Sequence, residues 1–353
     1  MLQPVKLSRG QVGWAAVGTG AAAAVALQLR HARQIARDPQ REALSQPPRG
    51  RVITVRSADG TKLCAEIFGA DRDDAPTAVL AHGWTENRTY WIHQIRALSQ
   101  QGLRVIAYDL RGHGDSESAA GDDYAIGRFG EDLEAVLEAV LEACQVRPEN
   151  TIVVGHSLGA MAIAAWAEGH DVTARVCAAA LINTGVGDLI AESLLVPVPP
   201  IAKALNKTNA VNGFLGSRAP LPRFSSPVSH ALIRYIAFGP TATAAQIAFY
   251  ERMLIASPPD ARADIGIALS DLELYHALPR LTVPTIVLAG AKDRLTPPSH
   301  AKRIAEQLPD LVRLTVLEET GHMAPLERPE QVNQALLDLA HYTGRELAGS
   351  AKV

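Results

Sequence analysis

The sequence predicts an α/β fold: a mostly parallel sheet of eight strands, helices on both faces, and a helical lid inserted before the last two strands. Short β-branched runs alternate with longer stretches of helical period, the pattern of parallel strands joined by crossover helices. The first two runs are separated only by a turn, so they are expected to pair antiparallel. The alternation stops over residues 183–281 and then resumes, and an interruption of that length between two strands reads as an insertion.

Taken in order, a polar, proline-containing stretch over 38–51 leads into the runs 51–55 and 63–68, which flank the turn Ala58-Asp59-Gly60. The runs 77–81, 105–108, 151–154, 178–182, 285–289 and 313–317 follow as buried strands. Between them, 91–101, 130–143, 158–168 and 299–307 have helical length and period. Within the insertion, prolines separate short apolar helices. Leu189-Ile190-Ala191, residues 194–198 and Ala231-Leu232-Ile233 are apolar enough either to line an acyl pocket or to serve as ordinary core. The chain thus divides into an N-terminal apolar segment with its linker (1–45), a core (46–182 and 282–353) and the lid (183–281).

Composition sets the outer limits. A length of 353 residues holds one large domain with an insertion, or two modest ones, and either buries a sizeable core. With 47% hydrophobic and 20% charged residues and no low-complexity tract, disorder is not expected. Thirty-four basic against 37 acidic side chains leave a formal net charge of -3, so no field draws the chain onto nucleic acid. Cys64, Cys144 and Cys177 are far apart, lack the Cys-X-X-Cys spacing of a metal site and are expected as buried thiols. There is no phosphate-binding glycine loop, no His-Glu-X-X-His pair and no cysteine cluster, so neither cofactor nor metal is expected.

Residues 10–29 stand apart because these twenty positions carry no charged side chain. At about 1.5 Å each they span about 30 Å, the hydrocarbon thickness of a bilayer. The leading expectation is an uncleaved membrane anchor; Lys6 and Arg9 before it and Arg30, Arg33, Arg37 and Arg41 after it leave its orientation open. The alternatives are a cleaved secretory signal ending near Ala24-Val25-Ala26, and a helix packed on the catalytic domain of a cytoplasmic protein.

The chemistry concentrates at strand ends. Gly155-His156-Ser157-Leu158-Gly159 follows the run Thr151-Ile152-Val153-Val154 and precedes a helical stretch. A serine on so tight a strand-to-helix turn presents its hydroxyl at the carboxyl edge of the sheet, and the flanking glycines leave room for neighbouring backbone. Ser157 is therefore the candidate nucleophile. A serine hydroxyl needs a base, and the base needs an acid to orient it. Asp293, just beyond an apolar strand, and His322, just beyond the last one, supply them in the order serine, acid, histidine. The backbone amides of Leu158 and of Trp84, in His82-Gly83-Trp84, are the candidate oxyanion donors. His82, His113 and His156 are expected to make structural hydrogen bonds rather than transfer protons.

Together, His82-Gly83-Trp84, the stretch from Asp109 to Ser116, Gly155 to Gly159, Asp293 and Gly321-His322 resemble the α/β-hydrolase superfamily, over residues 51–342. The resemblance implies a serine hydrolase, and it implies that Asp109 to Ser116 form a structural turn near the site. Relatives that open epoxides or displace halides carry aspartate at the nucleophile position, and Ser157 argues against both activities. The expected activity is hydrolysis of a small-molecule or lipid ester with an apolar acyl group. Carbon–carbon bond hydrolysis, peptide hydrolysis, cofactor-free perhydrolysis and a non-catalytic binding module remain as alternatives.

Overall fold

The computed structural model describes residues 25–193 and 216–350. Eight strands form one sheet in the order β1-β2-β4-β3-β5-β6-β7-β8. They are β1 (Arg51–Arg56), β2 (Lys62–Gly69), β3 (Thr77–Ala81), β4 (Arg104–Tyr108), β5 (Thr151–His156), β6 (Ala178–Ile182), β7 (Thr285–Gly290) and β8 (Leu311–Leu317). β2 runs antiparallel to both β1 and β4, and the remaining neighbours are parallel. Every residue of β3, β4, β5, β6 and β7 is buried, because helices cover both faces; the edge strands β1 and β8 are largely open.

The two faces carry separate apolar layers. On one, helices Ile126–Ala143 and Leu158–Gly169 place Phe129, Leu133 and Trp166 over Val79, Ile106 and Val153. On the other, helices Ile92–Gln100 and Pro329–Ser350 place Ile95, Leu98 and Leu336 over Leu80, Val105 and Val154. Each such side chain contributes about 1.5–3 kcal/mol by leaving water. Helix Ile126–Ala143 starts a turn earlier than its periodicity suggests. Gly127 and Gly130 weaken the local preference, and burial of Ile126 and Phe129 overrides it.

Between β6 and β7 the described residues are helical, with Leu189–Glu192, Pro227–Ala237, Ala244–Ala256 and Pro259–Ser270 and one isolated antiparallel bridge from Gly187 to Glu273. Residues 194–198, among the apolar segments of the insertion, lie outside the described residues. Of Ala231-Leu232-Ile233, only Ile233 is buried; Leu232 is 55% exposed on the outer side of its helix.

A helix over residues 25–36 packs on this insertion through Gln28 and His31, and Asp38 Oδ2 accepts from the Ala245 N–H at 2.9 Å. No helix among the described residues is long and apolar enough to cross a membrane; residues 10–24, most of the apolar run, lie outside them. Of the three cysteines, only Cys144 is fully buried. Cys64 sits beside the edge strand and Cys177 precedes β6, which leaves both half-buried.

Candidate active site

Parallel strands point their carboxyl ends the same way, so residues just past β5, β6, β7 and β8 share one edge of the sheet. Ser157, Asn183, Asp293 and His322 all lie there. Ser157 links β5 to helix Leu158–Gly169 with φ 49° and ψ -115°, a left-handed backbone that costs a non-glycine residue about 1–3 kcal/mol. Burial of one large core side chain offsets that strain. The turn is tight enough that a Cβ at Gly155 would lie 2.4 Å from the Ala160 nitrogen, and one at Gly159 would lie 2.1 Å from the Ala81 oxygen. The Ser157 N–H donates to Ile182 O at 3.0 Å and its carbonyl accepts from Thr184 Oγ1 at 3.0 Å, which holds the elbow against β6.

Asp293 and His322 meet directly: His322 Nδ1 lies 2.8 Å from Asp293 Oδ2, with Asp293 1% and His322 4% exposed. Every lone-pair direction of the carboxylate is used. Oδ2 also accepts from Asn183 Nδ2 at 3.0 Å and Thr296 Oγ1 at 2.9 Å, while Oδ1 accepts from the backbone N–H groups of Leu295 at 2.9 Å and Thr296 at 3.0 Å. Burial, the largest single influence, raises the carboxyl pKa. The charge of His322 and the hydrogen bonds from His322, Asn183 and Thr296 outweigh it and hold Asp293 below the usual carboxylate range. With Nδ1 facing a carboxylate, the neutral imidazole carries its proton there and leaves Nε2 as the basic nitrogen.

Ser157 Oγ makes no hydrogen bond among the described residues. What brings its segment to the histidine is His156, whose Nε2 lies 2.8 Å from His322 O and whose ring centroid is 5.0 Å from that of His322. The backbone N–H groups of Leu158 and Trp84, also among the described residues, donate to no protein acceptor. Leu158 N opens a helix, where the dipole adds positive potential. Trp84 follows β3, whose end lies against Gly159.

His82, His113 and His156 make hydrogen bonds within the turns around the site. His82 Nε2 accepts from Leu110 N–H at 3.0 Å and His113 Nε2 from Thr85 N–H at 3.1 Å. Burial drives their pKa values down to about 4 and about 3. His156 goes the other way. Burial, the largest influence, lowers it, but the Glu86 carboxylate 3.1 Å from Nδ1 more than compensates and raises it. Asp109 likewise serves the turn: it pairs with the Arg88 guanidinium and accepts from Asp115 N–H at 2.9 Å. Cys64, Asp109 and Asp115 are the one group of metal-ligating atoms within mutual reach among the described residues, and Arg88 lies against both carboxylates.

Sequence reasoning missed four residues that hold this site: Glu86, Asn183, Thr296 and Glu327. Asn183 bridges the two loops, donating to Asp293 and to Gly321 O at 3.1 Å. Its position immediately after a strand was a usable signal. Glu327 accepts from the N–H groups of Gly321 at 3.0 Å and Gly239 at 2.8 Å, tying the histidine loop to the insertion. Burial pushes its carboxyl up to about 7, against the pull of those two donors.

A carboxyl raised from 4.5 to about 7 contributes stability that is full below the lower value and lost as pH rises through the higher one. His156, also raised, has the same sign. The melting temperature is therefore expected to fall by several degrees between about pH 5 and about pH 8. Glu327→Gln should flatten that fall without abolishing it, and an unchanged slope in differential scanning fluorimetry would remove Glu327 from the account.

Comparison with known proteins agrees with this fold. The sequence profile described as alpha/beta hydrolase fold matches residues 76–329. A non-heme haloperoxidase of Rhodococcus erythropolis is 28% identical over 294 residues, covering 80% of this chain and 97% of its own. Epoxide hydrolase A of Mycobacterium tuberculosis is 27% identical over 340 residues, covering 83% and 98%. Among solved structures, a thermophilic esterase from Thermogutta terrifontis superposes with a TM-score of 0.65 at 22% identity, over 83% of this chain and 99% of that one, a likeness of fold.

Proposed function

Because the chain belongs to the alpha/beta hydrolase fold family, we propose that it hydrolyses carboxylic esters through an acyl-enzyme on Ser157, with His322 as general base and Asp293 as its orienting acid. The observation that carries this reading is the buried 2.8 Å contact between Asp293 and His322 at the strand edge from which Ser157 also projects.

Ser157 Oγ attacks the acyl carbon while its proton passes to His322 Nε2. Negative charge then develops on the carbonyl oxygen, and the N–H groups of Leu158 and Trp84, which donate to no acceptor among the described residues, receive it. As the bond to the alkoxide breaks, His322 returns the proton to the leaving oxygen. Water, deprotonated by His322, attacks the acyl carbon, and collapse of that second intermediate restores the Ser157 hydroxyl. Asp293 stays ionised throughout and stabilises the imidazolium.

The named relatives differ in chemistry, so the nucleophile decides between them. A serine at 157 forms the acyl-enzyme of an ester hydrolase, whereas the epoxide-opening members of the superfamily use aspartate. Cofactor-free perhydrolysis would use the same triad, with hydrogen peroxide replacing water in the second step. A panel of p-nitrophenyl esters of graded acyl length, with and without peroxide, tests the assignment. Hydrolysis without peroxide is expected, with kcat/KM rising from acetate to medium acyl chains. A chain inactive on every ester, or active only when peroxide is supplied, would overturn it.

A further inference from the structure

Helix Pro227–Ala237 carries two apolar stripes. The inward one, with Ile233 and Ala237 beside His230, is buried. The outward one consists of Phe224 just ahead of the helix and Val228, Leu232 and Tyr235 at four, eight and eleven positions beyond it; they are 68%, 78%, 55% and 51% exposed. A helix on a folded core needs one such stripe, and a second row of large side chains standing in water marks a contact surface.

The helix over 25–36 lies beside it. Gln28 Nε2 donates to Ser225 O at 2.7 Å, His31 Nε2 lies 3.0 Å from Ser225 Oγ, and the rings of His31 and His230 are 4.6 Å apart. In that position Val25, Leu27 and Leu29 remain more than half exposed. Residues 25–37 and 219–240 contain Arg30, Arg33, Arg37, Arg223 and Arg234 and not one Asp or Glu, in a chain whose formal net charge is -3.

We propose that this face, the outward stripe of Pro227–Ala237 with the neighbouring N-terminal helix, docks on the surface of an anionic lipid bilayer. The apolar side chains enter the boundary between headgroups and acyl chains, and the arginines meet lipid phosphates. A second copy of the chain is disfavoured, because a two-fold contact would set arginines against arginines. Docking also bears on the site: at the end of the same helix, Ala237 O accepts from the His322 N–H at 2.8 Å, and Gly239 N–H donates to Glu327 at 2.8 Å. The surface from which a lipid ester arrives is thus coupled to the loop that carries His322. That consequence for substrate rests on the ester-hydrolase reading, whereas the docking does not.

The test uses the full chain with Leu232→Trp, mixed with vesicles of brominated phosphatidylcholine with or without phosphatidylglycerol. The added indole emission, read against the parent chain, is expected to fall by roughly half on anionic vesicles and far less on neutral ones, with recovery at high salt. No added quenching on anionic vesicles would overturn the proposal, as would an emission that follows protein concentration instead of lipid. In parallel, Val228→Asp combined with Leu232→Asp should lower hydrolysis of a vesicle-borne ester about tenfold and leave a water-soluble ester untouched. Equal losses on both would contradict docking. A chain quenched by brominated lipid yet inactive on every ester would keep the docking face and remove the esterase.

Discussion

Ser157→Ala is expected to lower turnover of an activated ester by about 10⁴-fold or more. In the proposed mechanism the hydroxyl forms the acyl-enzyme, and no other group at the elbow would replace it. The fold should survive, because the contacts that hold the elbow run through the backbone: Ser157 N–H to Ile182 O, and Thr184 Oγ1 to Ser157 O. Circular dichroism and the melting temperature should accordingly match the parent chain. A variant keeping a tenth of the activity would displace Ser157 as nucleophile.

Asp293→Asn is expected to cost about 10³- to 10⁴-fold in kcat, more than its small change in size suggests. Oδ1 faces two backbone N–H groups, of Leu295 and Thr296, which cannot rotate away. The amide oxygen of asparagine must therefore take that side, and its NH₂ must take the side of Oδ2, facing His322 Nδ1. His322 can satisfy that donor only by moving its own proton to Nε2, where it no longer accepts the proton of Ser157. Because the loss is one of tautomer, it should fall on kcat more than on KM. Near-parental kcat would mean that another carboxylate orients the histidine.

How much of this could be read from the sequence depended on how local the cause was. Strands β3 to β7 were legible because burial on both faces leaves an unbroken apolar run. The elbow was legible because two glycines and a serine within five residues carry the whole constraint. Asp293 and His322 could be placed from strand order alone, since both sit just past parallel strands. Glu86 and Glu327 could not, because their importance comes from distant partners: His156 for the first, Gly239 of the insertion for the second. Leu232 was misassigned for a different reason. A helix with apolar residues on two sides has a periodicity that does not say which side faces the core, and the structure turns Ile233 inward and Leu232 outward.

The central claim, that Ser157 is the activated nucleophile, is tested most directly by labelling the full chain with a fluorophosphonate and locating the adduct by peptide mass spectrometry. The account predicts a single phosphonylated peptide, modified at Ser157, with labelling lost in Ser157→Ala and slowed in Asp293→Asn. An adduct on any other residue, or an unlabelled chain that still hydrolyses esters, would contradict it.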